Sequence, residues 1–140
     1  MKVRDLMSQN VKWVKPNQSL EEVAQILASS DIGSVPVCQG QQVIGMITDR
    51  DILIRAIAQG KDPKTTKANE VMTQEVRSVS PDTDIHQASD LMAENQIRRL
   101  PVVENNQLVG YLAIGDIAVQ SIHVNEAGEA LSGISEGVQH

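Results

Sequence analysis

Thr48 and Asp51 stand three positions apart, where a predicted strand gives way to a predicted helix. Free backbone N–H groups and the helix dipole at such a start favour an anion. A carboxylate in the first turn can also accept two hydrogen bonds from a cis-diol. The same spacing is that of a helix N-cap, in which the hydroxyl and the carboxylate only cap the helix. The two roles are compatible, and the sequence leaves both open.

A second aspartate, Asp116, follows an equivalent strand 65 residues later, but Ala113 stands where the hydroxyl residue would be. Alanine can neither cap a helix nor bind an anion through its side chain. Asp116 can still accept hydrogen bonds from a diol, and Gly115 leaves the backbone open to close approach. The sequence therefore predicts two unequal sites.

Three arginines are further candidates for anion binding. Arg98 and Arg99 precede a predicted strand. Arg50 lies between Thr48 and Asp51, the pair that forms the first motif, whereas Ala113 and Asp116 form the second motif. A guanidinium binds oxyanions through paired hydrogen bonds, although an exposed pair that balances Glu94 or Asp90 explains Arg98 and Arg99 equally well. Consecutive residues of an extended segment point to opposite faces, so at most one of the two enters a given cleft, and we favour Arg99. For Arg50 a surface role is equally compatible.

The residues that enzymes and metal sites use are scattered along the chain. His86, His123 and His140 are not spaced as ligands, and Cys38 replaces a strand valine of the other half with no histidine at a recognisable spacing. No Walker-type phosphate loop is present. We therefore expect no catalytic site and no metal site, with magnesium only as the companion of a bound polyphosphate.

A repeat positions these residues. Shifted by 65 positions, the chain realigns without a gap, and 13 of the 50 pairs from position 3 to 52 are identical. In each copy a capped helix, opening at Ser19 or Asp84, precedes two short strands and a second helix. The prolines Pro36 and Pro101 suggest strand-start or edge positions. The second helices are predicted over 49–58 and 114–122, and the pattern predicts an α+β fold with pseudo-twofold symmetry.

The composition excludes several classes of protein. The chain has 140 residues with a net charge of −6, one cysteine, one tryptophan, one tyrosine and no phenylalanine. The acidic balance and the lack of aromatic residues argue against nucleic-acid binding. No run of about 18 apolar residues suggests a membrane helix, no secretory signal is visible, and the lone cysteine suits a reducing, cytoplasmic compartment.

The repeat resembles a tandem cystathionine-beta-synthase (CBS) domain pair, or Bateman module. The resemblance rests on the stretches 35–37, 45–51 and 5–8 and on their counterparts 100–103, 110–116 and 70–73. It implies two β-α-β-β-α repeats packed sheet to sheet, over residues 1–62 and 63–122. A C-terminal extension, 123–140, would follow as a short helix or frayed tail.

The resemblance also implies a ligand site. Family members commonly bind adenosine-containing ligands in clefts between the repeats, where the motif hydroxyl contacts phosphate and the aspartate holds the ribose. This carries over to Thr48 and Asp51, while the Ala113 site takes a nucleoside, a differently anchored nucleotide or nothing. Basic residues before the strand often bind phosphates. Six apolar residues flank the same clefts and either clasp a base or simply form core: Val14, Val35, Pro36, Val79, Leu100 and Pro101.

The resulting expectation is a stand-alone regulatory module that binds AMP, ADP, ATP or S-adenosylmethionine. It is expected to form a homodimer and to signal to a separate effector protein. The main alternative is a non-catalytic interaction scaffold with vestigial pockets, which Ala113 favours and the Thr48–Asp51 pair opposes. An enzyme would need a base or nucleophile near the cleft, and none is convincing.

Overall fold

The computed structural model describes residues 1–125, with side chains described as far as residue 119. Most of the predicted C-terminal extension thus lies outside the described residues. The first repeat contains α1 (Leu20–Ser30), β1 (Ser34–Gln39), β2 (Gln42–Thr48) and α2 (Asp49–Asp51). The second contains a short α3 (Ala68–Val71), then α4 (Ile85–Asn95), β3 (Arg99–Glu104), β4 (Gln107–Ala113) and α5 (Ile114–Asn125).

The first long helix of each repeat begins where the sequence predicts. Ser19 Oγ accepts a hydrogen bond from the backbone N–H of Glu22 at 3.2 Å, and Asp84 Oδ1 accepts one from the N–H of His86 at 3.0 Å. These bonds satisfy N–H groups that have no partner within the helix. The reciprocal half of the predicted capping box is absent at Ser19, because the Glu22 carboxylate accepts from Gln18 instead.

The predicted hairpins are confirmed, and each one is a two-stranded antiparallel sheet. A bulge follows the fourth residue of the first strand in each hairpin, after Val37 in β1 and after Val102 in β3. The leading strand that the resemblance implies is reduced to one residue per repeat, Val14 bridging Val37 and Val79 bridging Val102. Pro36 is third in its strand rather than first, and its carbonyl accepts from Val14 N–H. Its missing N–H therefore faces this one-residue bridge, where little pairing is lost.

The predicted second helix of the first repeat, over 49–58, is confirmed, but the helix is irregular. α2 continues as a π-helical segment, Ile52–Ala56, and then as a 3-10 turn, Ile57–Gln59. Gly60 ends the run in the left-handed conformation, with φ at 75°. The segment is rich in isoleucine, whose β-branched side chain is stiff and weakens regular helix. The corresponding α5 is α-helical throughout.

The two repeats exchange their leading segments. Met46 pairs with Thr73, and Ser8 pairs with Tyr111, so each segment lies along the last strand of the other repeat. The two pairings are equivalent under the 65-residue offset with the repeats interchanged, which is the signature of a pseudo-twofold axis. The sheets also meet along β2 and β4.

Burial follows the same exchange. Val3 has no exposed surface and belongs to the core of the second repeat, while Ala68 and Val71 belong to the core of the first. Neither core is therefore complete without residues from the other half of the sequence. Within residues 1–125, no helix combines the length and the apolar character that crossing a bilayer takes.

Gly45 and Gly110 allow the leading segments to approach the strands closely. A Cβ on Gly110 would lie 2.8 Å from Met7 Sδ and 3.0 Å from the Ser8 carbonyl oxygen. A Cβ on Gly45 would overlap Met72 Sδ and lie 3.1 Å from the Thr73 carbonyl oxygen. Both contacts involve backbone as well as side chain, so the space cannot be made by moving a methionine alone.

We predict that Gly45→Ala lowers the free energy of unfolding by about 1–3 kcal/mol, as overpacking does in well-packed cores. Gly115→Ala is the matched control, because a Cβ there meets no atom within 4 Å and alanine is the better helix former by about 1 kcal/mol. Urea unfolding followed by circular dichroism measures both. Equal stability of the two variants would show that the close approach at Gly45 is not a constraint.

Candidate functional site

Thr48 and Asp51 form a closed pair at the start of α2. The Asp51 N–H donates to Thr48 Oγ1 at 2.9 Å, and the Thr48 N–H donates to Asp51 Oδ2 at 3.0 Å. This is a reciprocal capping box, so the capping interpretation of these two residues is confirmed. The two bonds fix both side chains relative to the backbone.

The capping box leaves hydrogen-bonding capacity unused. The Thr48 hydroxyl accepts in the box, so its own proton is free to be donated, and Asp51 Oδ1 takes no part in the box. The nearest cation to Asp51 is Arg55, whose Nε lies 3.7 Å from Oδ1. The Asp51 side chain is 15% exposed. The pair therefore offers one hydroxyl donor and one carboxylate acceptor in fixed positions at a helix start.

The second repeat retains half of this arrangement. The Ala113 N–H donates to Asp116 Oδ2 at 3.0 Å, as Thr48 N–H does to Asp51. No hydroxyl faces the Asp116 N–H, because position 113 is alanine. The space beside Gly115 is open. The predicted inequality of the two motifs is thus present in their hydrogen bonding.

Arg99 lies against an aromatic ring that sequence reasoning missed. Its guanidinium carbon is 5.9 Å from the centre of the Tyr111 ring, within the range of a cation–π contact. The Tyr111 hydroxyl lies 3.0 Å from Ser34 Oγ in the other repeat. Burial raises the pKa of Tyr111, while the bond to Ser34 and the charge of Arg99 oppose that shift. The phenol is therefore neutral near pH 7.

This chain of contacts leads to the first motif. Ser34 is the cross-strand partner of Thr48, so Arg99, Tyr111, Ser34 and Thr48 follow one another from the second repeat to the first. The sequence did hold a signal, since Tyr111 is one of only two aromatic residues and stands two positions before Ala113. What it could not give was the partner of the hydroxyl group.

Arg98 and Arg50 are exposed. Among the described residues, no carboxylate forms an ion pair with Arg50, Arg98 or Arg99. The alternative in which Glu94 or Asp90 balances Arg98 and Arg99 is therefore not observed. Phosphate contacts by Arg50, Arg98 and Arg99 stay predictions, and the structure brings only Arg99 into the contacts that reach Thr48.

The six apolar residues predicted to flank the clefts are buried. Val14, Val35 and Leu100 have no exposed surface and belong to the two cores. The structure favours the packing alternative for all of the set: Val14, Val35, Pro36, Val79, Leu100 and Pro101. Among them, Val79 retains 8% exposure and lines an open cavity of about 720 Å³ with Asp90 and Glu94.

A second open cavity, of about 740 Å³, lies at the turn of the first hairpin. It is lined by Trp13, Lys15 and Gly40, among others. Trp13 is 40% exposed. Thr48 stands at the opposite end of β2 from this turn, so the cavity is separate from the first motif.

Cys38 and His86 are two of the groups that could support catalysis or bind metal, and both lie among the residues whose side chains the structure describes. Cys38 is buried, and burial raises the pKa of its thiol to about 11. His86 is exposed on α4. In the part of the chain that the structure describes, no three His, Cys, Asp or Glu side chains come together to hold a metal ion. The expectation that the protein is not an enzyme stays a prediction.

Comparison with known proteins agrees with this architecture. The family model described as CBS domain matches residues 3–57 and 68–121. YhcV of Bacillus subtilis, described as a CBS domain-containing protein, is 44% identical over 133 residues, which cover 95% of this chain and 94% of that protein.

Two crystal structures are also similar. The first is Hypoxic Response Protein I with two coordinated zinc ions. It has a TM-score of 0.79 and 36% identity, over 84% of this chain and 97% of that one. The second is the CBS domain pair of protein MJ0100, in complex with 5′-methylthioadenosine and S-adenosyl-L-methionine. It has a TM-score of 0.76 and 28% identity, over 86% of this chain and 98% of that one.

We predict that the native Cys38 thiol reacts with a disulfide reagent at pH 8 on the order of 100-fold more slowly than the thiol of the urea-unfolded chain. The reason is that only the thiolate attacks, and a pKa near 11 leaves little of it. The chain has a single cysteine. With a reagent that releases a coloured thiolate on reaction, the absorbance therefore reports on Cys38 alone. Equal rates in the two states would mean that this strand opens freely.

Proposed function

Because this chain belongs to the CBS domain family, we propose that it is a regulatory module that binds an adenosine-containing ligand in the cleft at Thr48 and Asp51. AMP, ADP, ATP and S-adenosylmethionine are the candidates. The similar domain pair of MJ0100 was crystallised with two adenosine-containing compounds, which supports this class of ligand. The ligand acts as a signal and is not consumed.

The observation that carries the proposal is the unused capacity of the capping box. Thr48 and Asp51 are held by two hydrogen bonds of 2.9 and 3.0 Å, so neither side chain has to be ordered when a ligand arrives. In the proposed complex the free hydroxyl proton of Thr48 is donated to a phosphate oxygen. Asp51 Oδ1 accepts from the ribose hydroxyls and gives up its weak pairing with Arg55 at 3.7 Å.

Arg99 supplies the positive charge in this proposal. It has no carboxylate partner among the described residues, and a guanidinium binds phosphate oxygens in pairs. Magnesium enters only with a polyphosphate ligand, which brings its own oxygen ligands. The second cleft, at Asp116, lacks the hydroxyl and is the weaker site for phosphorylated compounds.

The second helices carry an apolar surface that suits a second copy of this chain. Leu53, Ile54 and Ile57 are 59%, 42% and 48% exposed, and Val119 on α5 is 54% exposed. Ile54 and Val119 are equivalent under the 65-residue offset, so both repeats expose apolar groups at the same place in their helices. A self-complementary surface of this kind favours a twofold homodimer. We propose that the dimer passes the signal to a separate effector protein.

The scaffold alternative has one specific observation in its favour. The side-chain hydrogen bonds of Thr48, Asp51 and Asp116 that the structure contains all serve helix capping. If capping were their only role, the protein would dimerise and bind its partner without regard to nucleotide. Binding experiments separate the two functions directly.

We predict that Asp51→Ala weakens AMP binding by roughly 10- to 150-fold, the effect of losing a charged hydrogen-bond acceptor. Titration calorimetry with AMP, ATP and S-adenosylmethionine, each with and without magnesium, measures it. Asp116→Ala is the matched control, because it removes the same 3.0 Å cap bond and should cost the same stability with a smaller effect on phosphorylated ligands.

Each outcome has a distinct meaning. Unchanged AMP affinity in a folded Asp51→Ala variant would overturn the assignment of Asp51. Equal losses in the two variants would attribute the effect to capping. If folded, nucleotide-free protein binds none of the three compounds, the scaffold is the better description.

We also predict that Ile54→Glu converts the protein from a dimer to a monomer of 15.2 kDa, because an ionised carboxylate in an apolar interface is strongly unfavourable. Light scattering after size exclusion gives the mass. Gln25→Glu, on the exposed face of α1, introduces the same charge elsewhere and should leave the mass unchanged. If the parent protein is itself a monomer, the proposal that this apolar surface forms a homodimer is wrong.

A further inference from the structure

The Tyr111 side chain crosses from one repeat to the other. Its backbone is fixed on one side by two hydrogen bonds with Ser8, of 2.8 and 2.9 Å, and it stands opposite Pro101 in β3. Its hydroxyl group then reaches Ser34 at 3.0 Å. Backbone and hydroxyl are thus both held, which leaves the direction of the ring little freedom.

The face of this ring carries the Arg99 guanidinium, 5.9 Å from the ring centre. A guanidinium in a cation–π contact has five N–H donors and keeps some of them available to an oxyanion. No carboxylate of the described residues competes for these donors. Tyr111 also contacts Ser34, the cross-strand partner of Thr48, whereas the backbone of Arg99 itself pairs with Ala113. The ring is therefore the contact that links the Arg99 cation to the first motif.

The first repeat has no equivalent of this arrangement. The positions that correspond to Tyr111 and Arg99 are Met46 and Ser34. Met46 has the same backbone pairing, with Thr73, but it offers neither a ring face nor a hydroxyl group. Of these two equivalent positions, only the one in the second repeat therefore holds a cation against an aromatic ring.

We propose that Tyr111 is a positioning residue for Arg99: it holds the guanidinium so that it binds the phosphate of a nucleotide seated at Thr48 and Asp51. This inference rests on the proposed function. An arginine side chain that is already held loses less rotamer freedom on binding, so part of the affinity for phosphate depends on the ring. The adenosine part of the ligand does not contact Tyr111 in this arrangement.

The test measures the affinity for AMP and for adenosine by calorimetry and takes their ratio, which isolates the phosphate. Arg99→Ala should lower the ratio by roughly 10- to 150-fold. Tyr111→Met should lower it by roughly 2- to 30-fold, the range of a cation–π contact, and methionine is already accepted at the equivalent position 46. Tyr111→Phe keeps the ring face and should retain the ratio of the parent protein.

Lys64→Ala is the control for bulk charge, because Lys64 is exposed in the linker between the repeats and should leave the ratio unchanged. Affinity for adenosine should be the same in all variants. A ratio that Tyr111→Met does not change would overturn the inference. So would an equal loss in Tyr111→Met and Tyr111→Phe, which would assign the effect to the hydroxyl group.

The proposed function can fail separately. If the parent protein binds neither AMP nor adenosine, the adenosine site itself is wrong and the positioning role falls with it. If it binds both with equal affinity, the site stands and Arg99 does not bind phosphate. Thermal unfolding of each variant verifies that the comparison is made between folded proteins.

Discussion

Two short backbone pairings, between Met46 and Thr73 and between Ser8 and Tyr111, hold the repeats in register. Each depends on a glycine next to it in the strand, Gly45 or Gly110, because a side chain there would meet a methionine and a carbonyl group of the opposing segment. The exchange also completes both cores, since each buries apolar residues from the leading segment of the other half. Folding of one repeat is therefore coupled to that of the other.

The same constraint determines where the candidate site can be. The backbone of Tyr111 is fixed by its hydrogen bonds with Ser8. Its hydroxyl group contacts Ser34, and its ring contacts the guanidinium of Arg99. A symmetric backbone thus carries an asymmetric set of side chains. The hydroxyl of Thr48 lies in one repeat and the available cation in the other, and the second motif has a carboxylate without a hydroxyl. The two repeats share one backbone arrangement, and the differences between them at positions 99, 111 and 113 contribute to making the two motifs unequal.

The elements that depend on local pattern could be predicted from the sequence. Ser19 and Asp84 cap their helices as expected, and the hairpins follow the apolar runs. The spacing of Thr48 and Asp51 predicts their helix cap, and the family resemblance predicts their contacts with a ligand. The exchange of leading segments could not be predicted, because hydrophobic periodicity does not specify against which core Val3 and Val71 pack. The helix after Asp51 could be predicted, but its π-helical form could not, because the weak helix propensity of isoleucine does not specify which irregular form results.

The contact between Tyr111 and Ser34 could not be predicted from the sequence, for a related reason. It joins side chains 77 positions apart, and a single sequence without an alignment contains no record of such a pairing. For the apolar residues beside the clefts, the sequence leaves two roles open, clasping a base or forming core. The burial of Val14, Val35 and Leu100 favours the core role. Backbone position can be carried over between relatives more safely than the direction of a side chain.

α2 and its continuation connect the two surfaces on which the proposed function depends. Asp51 lies in its first turn, and the exposed Leu53, Ile54 and Ile57 follow within two turns. A ligand bound to Asp51 and a second chain packed on Ile54 would therefore act on the same few residues. Thermodynamic linkage then requires that any factor by which the ligand changes dimerisation is also the factor by which dimerisation changes ligand affinity.

The intervening Ile52–Ala56 segment is π-helical, and such segments frequently occur at functional sites. A helix with a regular continuation would transmit a shift at Asp51 rigidly, whereas a π-helical one can also respond by changing its hydrogen-bond pattern. The irregularity therefore lies where a two-state element would have to be, between the ligand contact and the surface proposed for dimerisation.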